Sequence, residues 1–296
     1  MSKIFKSGFV NIIGKPNAGK STLMNALMGE KISIITAKAQ TTRHRIMGVL
    51  TGEDYQIVYS DTPGIIDPKY PLQKAMMSFV NQSLEDADIL LWVIDATDTE
   101  SQELVIAKLQ RVSTGIVIAL NKIDLLSQDK VQLIIDKLQA DFPETDIVPI
   151  SALNKFNTDY LLEKIKGALP EHPAYYDEDT LTDKSERFFA AEIIREKIFL
   201  NYEQEIPYCC EVQIVSFKED ENIIRIQAEI IVERDTPKGI GIGKEGKSLK
   251  KVGIESRKDM EAFFGKQIHL EQRVKVEKDW RKQERQLGRF GYIFGS

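Results

Sequence analysis

The sequence has little cysteine and no long apolar run. Its 296 residues include two cysteines, Cys209 and Cys210, which are adjacent and cannot build a disulfide framework, so a reducing compartment is expected. No apolar run approaches the length of a membrane span. The N-terminal residues lead directly into a strand-like segment, without the apolar region and cleavage site of a secretory signal. These absences predict a cytoplasmic protein.

The charge of the chain is unevenly distributed. Hydrophobic residues make up 42% and charged residues 29% of the chain, as in ordinary soluble proteins, and the length favours two domains. The net charge is −5, yet residues 236–289 contain 15 Lys/Arg and only 8 Asp/Glu. This basic segment of an acidic chain predicts a polyanionic partner, the alternative being a solvated charged surface.

Residues 14–21 match the phosphate-loop pattern G-x-x-x-x-G-K-[ST] at every fixed position. A strand-like segment precedes the pattern and a helix-like segment follows it, which is the context it requires. Gly14 and Gly19 allow close approach to an anion, and the loop N–H groups and the helix N-terminus point at phosphate. Lys20 can reach the β- and γ-phosphates, and the Ser21 hydroxyl can ligate Mg²⁺. The predicted nucleotide contacts in this loop are Gly14, Pro16, Asn17, Ala18, Gly19, Lys20, Ser21 and Thr22.

Residues 1–170 alternate between apolar strand-like segments and amphipathic helix-like segments. This alternation predicts an α/β domain with a mostly parallel sheet covered on both faces. Ligands of such sheets bind beyond the carboxyl ends of the strands. The predicted strands are Phe9–Ile13, Ile46–Thr51, Tyr55–Ser60, Ile89–Asp95, Gly115–Leu120 and Ile147–Ile150. The predicted helices are Ser21–Met28, Glu100–Val112, Val131–Ala140 and Asp159–Ala168.

Two further phosphate and metal contacts follow the third predicted strand, in the sequence Asp-Thr-Pro-Gly at positions 61–64. The Asp61 carboxylate can hold Mg²⁺, usually through water, and the Gly64 N–H can meet the γ-phosphate. Asp-x-x-Gly alone mostly marks a turn, so its position at a strand end carries the prediction.

Base-recognising residues follow the fifth and sixth predicted strands. The Asp124 carboxylate can accept two hydrogen bonds from guanine, and adenine lacks this donor pair, so the site should reject ATP. Asn121 can bond the base edge and tie its loop to the phosphate loop, and the Lys122 stem can cover the base face. After the sixth strand, a three-residue backbone segment can hydrogen-bond guanine O6. That segment is Ser151, Ala152 and Leu153.

Together and in this order, these motifs resemble the first, third, fourth and fifth motifs of the translation-factor-related small GTPases. The resemblance implies a P-loop GTPase domain over residues 1–170 that binds GTP or GDP with Mg²⁺. It also implies a Thr in the loop between the first helix and the second strand that ligates Mg²⁺ when GTP is bound. Thr41 and Thr42 are the candidates. We predict Thr42, because it precedes Arg43, so that Ser21, Thr42 and Asp61 form the metal site; the alternative is that either Thr is only a loop residue.

The sequence lacks the glutamine side chain that orients the attacking water in Ras-like enzymes. In Ras-like enzymes a Gln follows the Asp-x-x-Gly sequence and orients the attacking water, but Ile65 occupies that place here and cannot bond to water. Slow hydrolysis is therefore predicted. The loop around Asn17 resembles that of family members that bind K⁺ beside the phosphates, so we predict K⁺ acceleration with Asn17 as a ligand; the alternative is a hydrogen bond within the loop. The predicted catalytic residues are Lys20, Thr42, Gly64 and Asn17.

The rest of the chain predicts a linker over residues 171–183 and a smaller α+β domain over residues 184–296. The element order is α-β-β-α-β-α. The predicted strands are Cys209–Phe217, Asn222–Glu233 and Ile268–Val276. The predicted helices run from Lys184 through Ile198, from Ser248 to Phe264, and, as a basic tail, from Lys278 to Gln286.

A G-x-x-G sequence at residues 243–246 resembles the loop with which KH domains clamp nucleic-acid backbone. The element order favours a type II KH domain, and the local basic excess favours RNA, although a lone G-x-x-G usually marks a turn. Apolar residues before the loop would form a groove for bases, and basic residues after it would face phosphates. The predicted RNA contacts are Ile240, Ile242, Gly243, Lys244, Glu245, Gly246, Lys247, Lys250, Lys251 and Arg257.

The combination of both domains resembles the Era-like family of bacterial GTPases over nearly the whole chain. The sequences that carry this resemblance are Gln40–Arg43, Leu169-Pro170, Thr182-Asp183, Arg187-Phe188 and Glu192–Lys197. It implies binding to the 3′ end of 16S rRNA, a role in small-ribosomal-subunit assembly and loose association with the inner face of the cell membrane. We expect a monomer without a DNA partner. The alternatives are a GTPase whose C-terminal domain binds protein, an ATPase or nucleotide kinase, and a purely structural module.

Overall fold

The structure is a computed structural model that describes residues 4–100, 102–203, 205–233 and 243–294, with only the backbone described for residues 243–247. The chain divides into two units. The first unit comprises the residues up to Lys69 and Gln73–Asp183, and the second comprises Tyr70–Leu72 and Lys184–Phe294.

The first unit is built on a six-stranded sheet in the order β2-β3-β1-β4-β5-β6. Only the β2–β3 pair is antiparallel; the other neighbours run parallel. All residues of β4 from Ile89 to Ile94 are buried, and since successive side chains point to opposite faces, both faces of the sheet are covered. This confirms the predicted architecture. The strands are β1 (Lys6–Ile13), β2 (Ile46–Thr51), β3 (Tyr55–Asp61), β4 (Ile89–Asp95), β5 (Gly115–Asn121) and β6 (Asp146–Pro149).

The helices of the first unit depart from the prediction in three places, one of which is the start of α4 at Gln128 rather than Val131. Helix α2 was missed, although Pro71 suits its first turn and Ala75, Met76 and Val80 form a buried stripe at helical spacing. Helix α3 spans Glu103–Leu109 rather than Glu100–Val112; at its end the Arg111 and Val112 N–H groups donate to Lys108 O and Leu109 O, three residues back, which is a tighter turn than an α-helix. The helices are α1 (Lys20–Met28), α2 (Pro71–Glu85, of which Gln73–Glu85 belong to this unit), α3 (Glu103–Leu109), α4 (Gln128–Asp141) and α5 (Thr158–Ala168).

Residues 171–183, predicted as a linker, belong to the first unit, and the last three of them, Leu181–Asp183, line the edge of β2. The Val49 N–H donates to Leu181 O at 2.9 Å, and the Thr182 hydroxyl donates to Met47 O at 2.6 Å. The Met47 N–H donates to Asp183 Oδ1 at 3.0 Å. The segment thus satisfies backbone groups that an edge strand would leave unpaired.

The second unit has a three-stranded sheet in the order β7-β8-β9, antiparallel between β7 and β8 and parallel between β8 and β9. One face of β8, including Ile224 and Ile226, packs in a buried cluster with Ile194 of α6 and Val252 and Met260 of α7. The elements are α6 (Glu186–Asn201), β7 (Cys210–Glu219), β8 (Ile223–Val232), α7 (Gly243–Phe264), β9 (Gln267–Val276) and α8 (Glu284–Arg289).

The largest departures from the prediction in the second unit lie at the start of α7 and in the tail. Helix α7 begins at Gly243 rather than Ser248, so the G-x-x-G residues form its first turns instead of a preceding loop. A glycine in a helix costs only about 1 kcal/mol relative to alanine, which the packing of the rest of α7 can offset. The tail is not one helix over 278–286, because Asp279 adopts a left-handed φ of 52°; a 3-10 turn at Trp280–Lys282 precedes α8.

Candidate functional site: a phosphate loop, a metal-ligand cluster and a base-side loop

The phosphate loop is held against β5 by Asn121. The Asn121 Nδ2 donates to Ala18 O at 2.9 Å. A Cβ built on Gly19 would lie 2.2 Å from that Nδ2 atom, and Gly19 has a left-handed φ of 96°. Glycine is therefore required at the position from which α1 starts.

The Lys20 side chain folds back into the phosphate loop. Its Nζ donates to Lys15 O at 2.8 Å and to Gly14 O at 3.3 Å, and the side chain is buried. Burial lowers the pKa of Lys20 to about 8, while the Asp61 carboxylate acts in the opposite direction. Lys20 therefore still carries its charge at pH 7, in a position to face an anion in the loop.

Ser21, Thr42 and Asp61 come together although they are far apart in the chain. The Ser21 hydroxyl donates to Asp61 Oδ2 at 2.6 Å, and the Thr42 hydroxyl donates to the same oxygen at 3.3 Å. The two hydroxyl oxygens are 2.9 Å apart. The sequence predicted these three residues as one metal site, and the structure brings their oxygens within hydrogen-bond distance of one another.

Thr41 and Thr42 have different surroundings. The Thr41 hydroxyl donates to Lys38 O at 2.7 Å and lies 2.6 Å from the Thr36 hydroxyl, within its own loop. The Thr42 hydroxyl instead reaches the carboxylate at the end of β3. The geometry therefore favours Thr42 over Thr41 as the third member of the cluster.

The environment of Asp61 suits a hard cation. The residue is fully buried, which raises the pKa of its carboxyl group, and hydrogen bonds from hydroxyls including Ser21 act against that rise. Its Oδ1 atom is buried without a hydrogen-bond partner among the described residues. A carboxylate beside two hydroxyls is an oxygen donor set of the kind that Mg²⁺ prefers.

Gly64 and Ile65 pack against the phosphate loop. A Cβ on Gly64 would lie 2.6 Å from Pro16 N, so only glycine fits there. The Ile65 N–H donates to Gly14 O at 3.0 Å, and its side chain is buried. The apolar Ile65 side chain therefore provides no polar group to orient water.

The loop after β5 is shaped around Asn121 and Lys122. The Ala152 N–H, one of the groups predicted to meet the base, donates to Asn121 Oδ1 at 2.9 Å. Asn121 therefore links the phosphate loop to the Ser151–Leu153 segment. Asp124 is exposed in the 3-10 turn that follows Lys122, and the Leu153 side chain is exposed as well.

A cavity of about 420 Å³ lies at the phosphate loop and reaches Lys122, but Asp124 and the Ser151–Leu153 segment are not part of its lining. It is lined by phosphate-loop residues, by Thr42, Gly64 and Lys122, and by a stretch of the loop before β2 that the sequence analysis did not assign. Asn17 lines it as well; it is exposed and has a left-handed φ of 63°. The loop residues that were missed are Ile34, Ile35, Thr36, Ala37, Lys38 and Gln40; they lie in an irregular loop without a periodic signal.

The described part of the predicted RNA surface lies on α7. Lys250, Lys251 and Arg257 are exposed there. Lys251 Nζ is 3.7 Å from Glu255 Oε1, and Arg257 Nη1 is 3.8 Å from Glu261 Oε1, both one helical turn away. The predicted apolar contacts Ile240 and Ile242 lie outside the described residues, as do the side chains of Lys244, Glu245 and Lys247; Gly243 and Gly246 belong to the first turns of α7.

The described residues contain no helix long and apolar enough to cross a membrane.

Comparison with known proteins identifies both units. A family model described as 50S ribosome-binding GTPase matches residues 9–122, and a KH domain model matches residues 205–281. GTPase Era of Syntrophus aciditrophicus (strain SB) is 46% identical over 295 residues, which are 98% of this chain and 96% of that protein.

Two solved structures are similar over almost the whole chain. Aquifex aeolicus Era bound to GDP.AlF4⁻ is 40% identical with a TM-score of 0.93, covering 98% of this chain and 100% of that one. A structure of Era in complex with MgGDPNP and nucleotides 1506–1542 of 16S ribosomal RNA has the same identity and TM-score and covers 98% and 99%.

The phosphate loop, the oxygen cluster and the sheet define a P-loop GTPase domain, followed by a smaller KH domain. More specifically, the chain belongs to the Era family of GTPases. Its C-terminal domain is an RNA-binding KH domain.

Proposed function

We propose that this chain binds GTP and GDP with Mg²⁺ in the cavity at the phosphate loop, hydrolyses GTP slowly, and binds the 3′ end of 16S rRNA through its second unit. The observation that carries the nucleotide part is the convergence of Ser21, Thr42 and Asp61 on one buried carboxylate oxygen. Ser21 lies in the helix after β1, Asp61 ends β3, and Thr42 lies in the loop before β2, whose first residue, Ile46, pairs with Asp61. A structure of Era with MgGDPNP supports the same ligand class.

The oxygens of Ser21, Thr42 and Asp61 would hold Mg²⁺, Asp61 usually through water. When bound, the ion neutralises charge that develops on the phosphates. Lys20, aimed into the loop, would contribute a second positive charge toward the β- and γ-phosphates. Gly64 would present its N–H group to the γ-phosphate, and its close approach to Pro16 keeps that segment against the loop.

Guanine selectivity would come from the loops after β5 and β6. Asp124 is placed to accept hydrogen bonds from the guanine ring N–H and the amino group, which ATP cannot donate. The Lys122 stem would cover the base, and the backbone of Ser151–Leu153 would meet guanine O6. Asn121 holds these loops to the phosphate loop, which supports a site preformed across both ends of the nucleotide.

Hydrolysis would depend on a group other than Ile65. Asn17 is exposed to the cavity, and no hydrogen bond of its side chain is formed within the described residues, which supports a role toward a ligand. We expect K⁺ to raise the hydrolysis rate with Asn17 as one ligand. Equal rates in K⁺ and Na⁺ at constant ionic strength would overturn this.

The RNA part rests on the KH domain match and on the structure of Era with nucleotides 1506–1542 of 16S ribosomal RNA. The exposed Lys250, Lys251 and Arg257 would contact phosphates, with the residues of the G-x-x-G sequence and the apolar Ile240 and Ile242 beside them. A protein partner in place of RNA is not favoured, because the related complex contains RNA. Through this contact the protein would assist maturation of the small ribosomal subunit.

Nucleotide and RNA are expected to affect each other's binding, since one chain has both sites. GTP would order the loop of Thr42 and the segment Asp61–Gly64, and the affinity for RNA would differ between the two states. The test measures binding of an oligonucleotide of the 16S rRNA 3′ end to the full chain with GDP and with a non-hydrolysable GTP analogue. Equal affinities would refute the coupling, and failure to bind this RNA in either state would refute the RNA part.

The family resemblance also implies loose, peripheral association of a cytoplasmic, monomeric protein with the inner face of the cell membrane. Sedimentation with vesicles of bacterial lipids, in parallel with a lipid-free sample, tests this. Recovery of the protein in the supernatant at all salt concentrations would contradict it. Light scattering of the same preparation measures the oligomeric state, for which one chain per particle is expected.

A further inference from the structure

A carboxylate outside the four motifs lies next to the base-side loop. Asp95 is the last residue of β4, and in the strand register it is paired with Asn121 at the end of β5. The pairing extends one residue past Asp95, since the Ala96 N–H donates to Asn121 O at 2.8 Å. Two parallel strands therefore bring Asp95 beside the start of the loop that contains Lys122 and Asp124.

The Asp95 carboxylate is held on both oxygens. Its Oδ1 accepts hydrogen bonds from the Thr97 N–H at 2.9 Å and from the Thr97 hydroxyl at 2.7 Å. Its Oδ2 accepts a hydrogen bond from Lys122 Nζ at 2.6 Å. Burial alone would raise the pKa of Asp95, but these bonds hold it below its usual value, so the carboxylate stays charged at neutral pH.

Of the two residues that bind the Asp95 carboxylate, Lys122 is the one that lines the cavity. It lines the 420 Å³ cavity, and its backbone adopts a left-handed φ of 65°, which is uncommon for a residue with a side chain. The Lys122 side chain is 32% exposed and that of Asp95 16% exposed, so the pair is shielded on the carboxylate side. With its ammonium group held at Asp95, the Lys122 stem has a fixed direction before any ligand arrives.

We propose that Asp95 is a positioning residue for the base of the nucleotide: by holding Lys122 Nζ, it fixes the Lys122 stem as a preformed wall of the guanine site. This inference rests on the proposed nucleotide function of the cavity. A free lysine side chain has about 2 kcal/mol of rotamer entropy, part of which is lost when a ligand orders it. Asp95 removes that cost in advance, which is how preorganisation raises affinity.

Loss of the Asp95 carboxylate should affect only the binding of the guanine base. GDP and a non-hydrolysable GTP analogue share the guanine ring, so loss of the Asp95 carboxylate should weaken both by the same factor. We expect Asp95→Asn to lower both affinities about tenfold, because the Lys122 stem would then be ordered only when the nucleotide binds. The rate at saturating GTP should stay within twofold, because the groups that meet the phosphates are unchanged.

The test is a double-mutant cycle read by titration of fluorescent GDP and by displacement with the GTP analogue. Lys122→Met keeps the apolar stem and removes the ammonium, so Asp95→Asn should have less than a twofold effect in that background. Equal losses in both backgrounds would mean a general structural defect and would overturn the proposal. So would an Asp95→Asn variant that binds both nucleotides as tightly as the wild type.

Two further variants complete the experiment. Asp146→Asn removes a Lys–Asp pair of 2.9 Å with Lys164 at the opposite end of the sheet and should leave affinity within twofold. If Asp95→Asn does not fold, Thr97→Val can replace it, because it removes one hydrogen bond to the same carboxylate. Thr97→Val should weaken nucleotide binding two- to threefold when Lys122 is present and should have no effect in the Lys122→Met background. Unchanged nucleotide affinity of Thr97→Val would then overturn the proposal. A wild-type protein without guanine preference would instead refute the proposed function itself.

Discussion

The Ser21 hydroxyl lies 2.6 Å from Asp61 Oδ2, which joins the first turn of α1 to the end of β3 across forty residues of sequence. Thr42 reaches the same oxygen from an irregular loop. The buried carboxylate has a second oxygen without a partner among the described residues, so the cluster has the donors and the charge to hold a divalent cation.

The first prediction separates the two neighbouring threonines. Thr42→Val removes a hydroxyl from the cluster at Asp61 and should weaken Mg²⁺-dependent binding of a GTP analogue about tenfold or more, while GDP binding changes less. Thr41→Val, whose hydroxyl bonds within its loop, should change the affinity for the GTP analogue less than Thr42→Val does. Titrations with Mg²⁺ and with EDTA measure both. A larger loss for Thr41→Val would show that Thr41, and not Thr42, makes the metal contact.

The second prediction concerns the base. Asp124→Asn replaces an acceptor of two hydrogen bonds by an amide that can donate, so affinity for GDP should fall by at least about a hundredfold and xanthine nucleotides should gain. Competition between GDP and XDP for the variant measures the exchange. Retained preference for guanine would show that Asp124 does not read the base.

The third prediction tests the contact between Gly64 and the phosphate loop. A Cβ on Gly64 would lie within 2.7 Å of three Pro16 atoms, two of them backbone, so Gly64→Ala should reduce the free energy of unfolding by about 1–3 kcal/mol, the usual cost of overpacking.

A matched control exists in α5, where nothing lies within 4 Å of a Cβ on Gly167. Gly167→Ala should stabilise the protein by about 0.5–1 kcal/mol, because alanine is the better helix residue. Denaturant unfolding of both variants measures the difference. Equal effects of the two substitutions would contradict the close approach at Gly64.

The fourth prediction concerns the second unit. Trp280 is fully buried, and its Nε1 donates to Cys209 O at 3.0 Å. Trp280→Phe removes this bond and part of the side-chain volume, so the free energy of unfolding should fall by about 1–3 kcal/mol. Chemical denaturation followed by circular dichroism measures the loss. An unchanged midpoint would mean that the tail contributes little to the stability of the unit.

The fifth prediction uses the salt dependence of RNA binding. If Lys250 neutralises one phosphate of single-stranded RNA, Lys250→Gln should reduce the slope of log K against log salt by about 0.7. Lys130→Gln, an exposed lysine of α4, should leave the slope unchanged. An unchanged slope for Lys250→Gln would place RNA away from this face of α7.

The sequence was sufficient where a function follows from strand order. Parallel strands present their carboxyl ends at one edge, so the meeting of Ser21 with Asp61 could be predicted without coordinates. The same rule favoured Asn121 as the link to the phosphate loop, and the structure contains that hydrogen bond. The α/β sheet and the order of elements in the second unit followed from apolar periodicity.

The sequence was insufficient where contacts depend on irregular backbone. The loop residues 34–40 have no periodicity that would reveal which of them face the cavity. The Asp95–Lys122 pair requires the strand register, which periodicity does not provide. The start of α7 was misplaced because glycines suggest a loop, whereas packing along the rest of the helix determines where it begins.

Nucleotide competition against fluorescent GDP in the presence of Mg²⁺ tests the ligand of the cavity directly. We predict that GDP and GTP displace the probe, that ATP does not do so at a thousandfold excess, and that removal of Mg²⁺ weakens GTP more than GDP. Displacement by ATP at concentrations similar to those of GTP would show that this cavity is not a guanine-nucleotide site.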